Sequence, residues 1–152
     1  HDQLMYTGAD LLVKTVEAMA VGDYPLQDQG GLLAGGEPKH APKIFKEDMK
    51  VDWSLGVDAI FNHIRGLSPF PTAWTEFRNK KNGEIVSLKI FETERIVKDH
   101  GKEVGLSTDN KTYLDVLVKG GVIRIKELQL SGKKRMKTEE FLRGFHIEDY
   151  SL

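Results

Sequence analysis

The chain has 152 residues, 39% of them apolar, and no cysteine, which allows one soluble domain, or one domain with a remnant of another. Disulfides, thiolate zinc sites and a cysteine nucleophile are excluded, no apolar run approaches the roughly 18 residues of a membrane span, and no signal-peptide pattern opens the chain, so a cytoplasmic location is expected. The formal charge of −1 hides a gradient: residues 1–77 hold six Lys/Arg against eleven Asp/Glu, and residues 78–146 hold sixteen against ten, so the second half has the charge for a phosphate-binding face.

Leu4, Met5, Ala9, Leu12, Val16, Met19 and Ala20 recur at three- and four-residue steps and predict an amphipathic helix, widened by Leu11 and Val13. Gly22 is its stop and Pro25 prevents resumption. The apolar face is wide for a helix with so little chain before it, as if it belonged to a larger body. Residues 23–43 carry Gly30, Gly31, Gly35, Gly36, Pro25, Pro38 and Pro42 and read as a linker. A second helix follows, with Ser54 as its cap, an apolar stripe of Val57, Ile60, Phe61 and Ile64, and a stop at Gly66. Pro69 and Pro71 predict an extended exit.

From Ala73 the period changes to two. Trp74–Phe77 and Ile85–Phe91 flank a turn in which Asn82-Gly83 supplies positive φ. Residues 98–111 are polar and read as a loop. Thr112–Val118 and Val122–Leu130 form a second hairpin around Lys119-Gly120-Gly121, and the apolar phase shift between Ile125 and Leu128 predicts a bulge. A short helix from Glu139 to Arg143 follows Thr138 as its cap. The fold class is therefore mainly β with flanking helices, a pattern that suits a small barrel or a curled sheet; five strands with Greek-key closure would make it OB-like.

Several segments together resemble the methionyl-tRNA formyltransferase family. Ala41-Pro42-Lys43-Ile44-Phe45-Lys46-Glu47-Asp48-Met49-Lys50-Val51-Asp52-Trp53-Ser54 is similar to the family's A-x-K-x-x-K-E-(D/E)-x-x-I-D-W junction. Ile64-Arg65-Gly66-Leu67-Ser68-Pro69-Phe70-Pro71-Thr72-Ala73-Trp74 resembles its I-R-(G/A)-x-x-P-W-P-x-A segment, with Phe70 for Trp. Leu88-Lys89-Ile90 matches a strand motif, and Leu128-Gln129-Leu130-Ser131-Gly132-Lys133-Lys134-Arg135-Met136 resembles the L-Q-x-x-G-K-(K/R)-x-M signature. Phe141-Leu142-Arg143-Gly144 fits the helix that follows it, and Gly8-Ala9-Asp10-Leu11-Leu12 is similar to the last helix of the family's catalytic domain.

The resemblance implies transfer of a formyl group from 10-formyltetrahydrofolate, as co-substrate, to the amino group of methionyl initiator tRNA in translation initiation. The family's Asn, His and Asp catalytic residues lie in a Rossmann-like domain upstream of the segment that His1 opens. The expected organisation is residues 1–28 as the last helix of a truncated catalytic domain, 29–52 as linker, 53–147 as the OB-like tRNA-binding domain and 148–152 as a tail. On this reading the chain is a fragment with no catalytic residue, no bound cofactor, no metal and no membrane contact. Its parent enzyme is a monomer, and the first helix is free to self-associate. Two alternatives stay open: the equivalent domain of a sugar-nucleotide or folate formyltransferase, and a free-standing basic OB-like module.

The candidate tRNA contacts are Lys133, Lys134 and Arg135, three adjacent cations whose mutual repulsion an anionic ligand would relieve, with Arg78, Lys80, Lys81 and Lys89 as additions from the first hairpin. Structural roles are expected for Trp53, Pro69, Phe70, Pro71, Trp74 and Met136, the aromatic residues seating the helix on the barrel rather than stacking on bases. Asn62-His63 with Asp58 imitates a catalytic set, but adjacent helical residues project about 100° apart. No His and carboxylate spacing resembles a zinc site.

Overall fold

A computed structural model describes residues 2–32 and 36–152, so His1 and the linker glycine Gly35 lie outside the described residues. The chain divides into two units, His1–Pro42 and Lys43–Leu152. In the first, α1 spans Asp2–Val21 and ends one residue before Gly22, as its sequence predicts. Leu4, Met5, Leu11, Leu12, Val13, Val16 and Met19 are all exposed on it. A single further turn, α2 (Gln29–Leu32), interrupts a stretch predicted to be aperiodic.

In the second unit α3 (Val57–Leu67) precedes β1 (Ala73–Asn79), β2 (Ile85–Val97), β3 (Gly105–Thr108), β4 (Leu114–Val118), β5 (Gly121–Leu130), β6 (Met136–Lys137), α4 (Thr138–Leu142) and β7 (Tyr150–Ser151). The strands run in the order β3-β4-β5-β2-β1-β7, with β6 added to β5. The sheet curls into a nearly closed, OB-like barrel. A 3-10 turn, Ile147–Asp149, packs beside β3, and Asn110 Nδ2 donates to Glu148 Oε2 at 2.7 Å. Residues 147–151 thus link the two edges of the sheet.

The apolar stripe of α3 folds as its spacing predicts. Val57, Ile60, Ile64 and Leu67 are buried, one residue beyond the expected stop at Gly66, and pack against β2 and β5. They join Phe77, Leu88, Ile90, Leu114, Ile123, Ile125 and Leu128 in one core. The helix start is not capped by Ser54. Gly56 occupies the N-cap, Val57 N–H donates to Lys119 O at 2.9 Å, and Ser54 Oγ donates instead to Asp52 at 2.6 Å. Thr138 likewise caps nothing: its hydroxyl donates to Ile125 O, which ties α4 to β5.

Gly83 takes φ +75° in the β1–β2 turn, which a side-chain-bearing residue enters at a cost. Asn79 Oδ1 accepts from the Lys81 and Asn82 amides there. The expected bulge lies between β2 and β5, where Phe91 and Lys126 drop out of the pairing on either side of Glu92 and Glu127. Two expectations are corrected. The loop at 98–111 contains β3, paired Leu106 to Val116 and Thr108 to Leu114. The linker ending at 52 and the tail from 148 both overlap the barrel unit. Val51 is buried and its N–H donates to Trp74 O at 2.9 Å, while β7 pairs with β1 through Arg78–Ser151 and Asn79–Tyr150.

Candidate nucleic-acid interface

Along β1, Ala73, Thr75 and Phe77 are buried, so Trp74, Glu76 and Arg78 lie on the outer face. Register partners on neighbouring strands share a face. Trp74 stands opposite Lys89 of β2, and Lys89 opposite Gln129 of β5. Gln129 Nε2 donates to Lys133 O at 2.7 Å. Lys89, on the first hairpin, and the basic turn Ser131–Arg135 therefore meet on one outer surface, although 44 residues separate Lys89 from Lys133.

The turn's three cations are not equivalent. Lys133 has no carboxylate within ion-pair distance among the described residues. Lys134 Nζ lies 3.4 Å from Glu140, with both side chains largely exposed. Arg135 is held most firmly: Nε donates to Glu127 Oε2 at 2.9 Å, a second nitrogen binds the same oxygen, and the guanidinium sits 4.3 Å from the Phe91 ring centroid. The turn is also a hairpin tip, since β6 separates it from α4 and Met136, half-buried on the core, pairs with Leu128.

Lys80 and Lys81 face another way. The Lys80 ammonium donates to Glu148 O at 2.9 Å, and Lys81 Nζ lies 2.6 Å from Asp149. The Lys81–Asp149 hydrogen bond holds the Asp149 carboxyl below its usual range and raises Lys81 above its own. These two lysines tie residues 148–149 to the first hairpin. Arg78 is exposed and sits on the Trp74 side of the sheet.

Trp53 is buried and donates its indole N–H to Thr75 Oγ1 at 2.8 Å. Trp74 is only half-buried, and its indole N–H donates to Lys46 O at 2.8 Å. Phe70 is a correction: it is 87% exposed and seats nothing. The turn between Pro69 and Pro71 closes without it, through Thr72 N–H on Leu67 O at 2.8 Å and the Thr72 hydroxyl on Pro69 O.

Asp58, Asn62 and His63 do not converge. Asp58 pairs with Arg95, Asn62 accepts from Arg65 Nε at 2.8 Å, and His63 Nε2 is buried without a partner among the described residues. No group of three His, Asp or Glu among the described residues is placed to hold a metal ion, and no described helix is long and apolar enough to cross a membrane. The arrangement offers cations and one half-exposed indole on an outer β surface. That chemistry suits a polyanion better than a reacting small molecule. The Glu127–Arg135 and Lys134–Glu140 pairs escaped sequence reasoning because they join an acid and a base across a turn that spacing alone does not define.

Residues 43–146 match the family described as formyl transferase, C-terminal domain. The methionyl-tRNA formyltransferase of Bacteroides fragilis is 45% identical over 150 residues, 98% of this chain and 46% of that relative. The protein of the same name from Phocaeicola vulgatus is 46% identical over 151 residues, again 98% and 46%, and that from Porphyromonas gingivalis 38% identical over 149 residues, 97% and 46%. The chain spans about half the length of the curated relatives it matches.

Proposed function

The chain belongs to the formyl transferase C-terminal domain family, and on that footing we propose that Lys43–Leu152 is the tRNA-holding unit of a methionyl-tRNA formyltransferase. The observation that carries this reading is the 45% identity, over 98% of the chain, to a relative of that name. Formyl transfer from 10-formyltetrahydrofolate to methionyl initiator tRNA, in the cytoplasm, falls to the part of such proteins that this chain does not match. The barrel holds the tRNA backbone through charge, with Lys89, Lys133, Lys134 and Arg135 on one surface and Arg78 beside them. Lys80 and Lys81 join only by leaving residues 148–149. Phosphate contacts of this kind position the RNA rather than read it.

Acyl transfer needs a neutral amine as nucleophile and donors for the oxygen of the tetrahedral intermediate. The Asp58, Asn62 and His63 side chains supply no such arrangement, since the first two are engaged with arginines. Incubated with 10-formyltetrahydrofolate and methionyl-tRNA, this chain alone is expected to form no product above a no-protein control. Turnover that disappears in His63→Ala would overturn that assignment.

We also propose that the apolar face of α1 is covered by a second copy when this chain is alone in solution. Burial contributes about 25 cal/mol per Å² of apolar surface, and Leu4, Leu12, Val16 and Met19 are all more than half exposed. Sedimentation is expected to show a mass above the monomer that Leu12→Glu with Val16→Glu returns to it. A strictly monomeric wild type would refute the assignment.

A further inference from the structure

The register neighbours Trp74, Lys89 and Gln129 extend one position further. Lys50 bridges to Trp74 in parallel register, so Lys50, Trp74, Lys89 and Gln129 form one line across the outer face. At the 4.7–4.9 Å spacing of neighbouring strands that line is about 14 Å long. Gln129 joins its far end to the basic turn. At its near end two ammonium groups share a single indole: Lys46 Nζ lies 5.4 Å and Lys50 Nζ 5.0 Å from the Trp74 ring centroid. The indole N–H donating to Lys46 O fixes the ring against the segment that carries both lysines. The electron-rich indole attracts each cation, and two like charges held at one ring make the local potential positive. Lys50 is additionally bound by Glu76 at 2.6 Å.

We propose that Lys46 and Lys50, positioned by Trp74, form a site for one backbone phosphate of the RNA, and that the row through Lys89 leads from this site to Lys133. The inference rests on the tRNA reading above. A phosphate whose oxygens are reached by the two ammonium groups answers that potential and takes Lys50 from Glu76. Trp74 is a positioning residue: it contributes no charge, yet it holds the two charges that bind. Glu76 is a competitor, and its removal strengthens the site.

The test is the affinity of the full chain for an unmodified initiator tRNA transcript across a salt series, with circular dichroism on every variant. Because both lysines serve one phosphate, the double variant Lys46→Ala with Lys50→Ala lowers the slope of log K against log salt by about 0.7–0.9. Trp74→Leu lowers it by a similar amount with every cation still present. Glu76→Gln raises affinity by up to about fivefold, the equivalent of one exposed ion pair. If the wild type binds tRNA with a clear salt dependence and the slope is unchanged in folded Trp74→Leu and in the double-lysine variant, the site is overturned while the tRNA reading stands. If the wild type does not bind tRNA at low salt, both fall.

Discussion

Replacing Lys133, Lys134 and Arg135 together by alanine is expected to lower the slope of log K against log salt for tRNA by at least about 0.9 and at most about 2.7, at about 0.9 per neutralised duplex phosphate. The lower bound is Lys133, which has no carboxylate to leave among the described residues. The exposed Lys134–Glu140 pair adds little to stability, so Lys134 exchanges Glu140 for phosphate readily. Arg135, held by Glu127 and seated on Phe91, gives up the most on transfer and contributes the least. Loss of affinity should be similar for initiator and elongator tRNA, because such contacts carry no sequence information directly. In a parent enzyme the triple variant is expected to raise KM for tRNA with little change in kcat, the signature of uniform binding lost. Salt titration of the wild-type and triple-alanine chains measures this, with circular dichroism as the folding control. An unchanged slope in a folded variant would leave the turn a solvated hairpin tip.

The second large effect is on folding. Gly121→Ala is expected to destabilise the barrel unit by about 1–3 kcal/mol, near the upper end, and to lower Tm by roughly 10 °C at about 4 °C per kcal/mol. A Cβ at Gly121 would stand 2.3 Å from the backbone oxygen of Ile96 and 3.1 Å from Val57 Cγ2. Neither neighbour gives way cheaply. Ile96 belongs to the β2–β5 ladder, and Val57 opens α3 against the same hairpin. The Gly121 carbonyl also accepts from His100 Nε2 at 2.9 Å, so a shift there disturbs a second anchor. Gly66→Ala is the control: nothing lies within 4 Å of its Cβ position, and in a helix alanine is neutral or slightly stabilising. Thermal melts of the two variants separate a steric effect from a general intolerance of glycine replacement. Equal Tm values would refute the close approach.

Much of the barrel is legible in the sequence because its strong elements obey one period each. Val57, Ile60 and Ile64 keep the helical spacing, Val86, Leu88 and Ile90 keep the strand spacing, and the phase slip between Ile125 and Leu128 marks the bulge directly. β3 escapes because Gly105–Thr108 is short and semi-polar, and its pairing with β4 is set by the barrel rather than by propensity. β7 escapes for the same reason at two residues. Ser54 and Thr138 have the residue type of a cap, but a hydroxyl goes to whichever partner lies nearer, here Asp52 and the Ile125 carbonyl. Phe70 shows the limit of matching by position: it stands where the resembled motif has Trp, yet it faces solvent. On the surface, the basic turn is visible as a run of cations. Its junction with Lys89 and Trp74 is visible only once the register of β1, β2 and β5 is known, since no local spacing relates residues 46, 74, 89 and 133.

One outer surface of the barrel, from the basic turn across β5, β2 and β1, is proposed to hold tRNA. The decisive measurement is amide chemical-shift mapping of the full chain with an initiator tRNA transcript. Shifts are expected to concentrate at Gln129–Arg135, Lys89 and Trp74 and to fade as salt is raised, with the Asp109–Tyr113 turn unmoved. Shifts confined to that turn, or none at low salt, would contradict it.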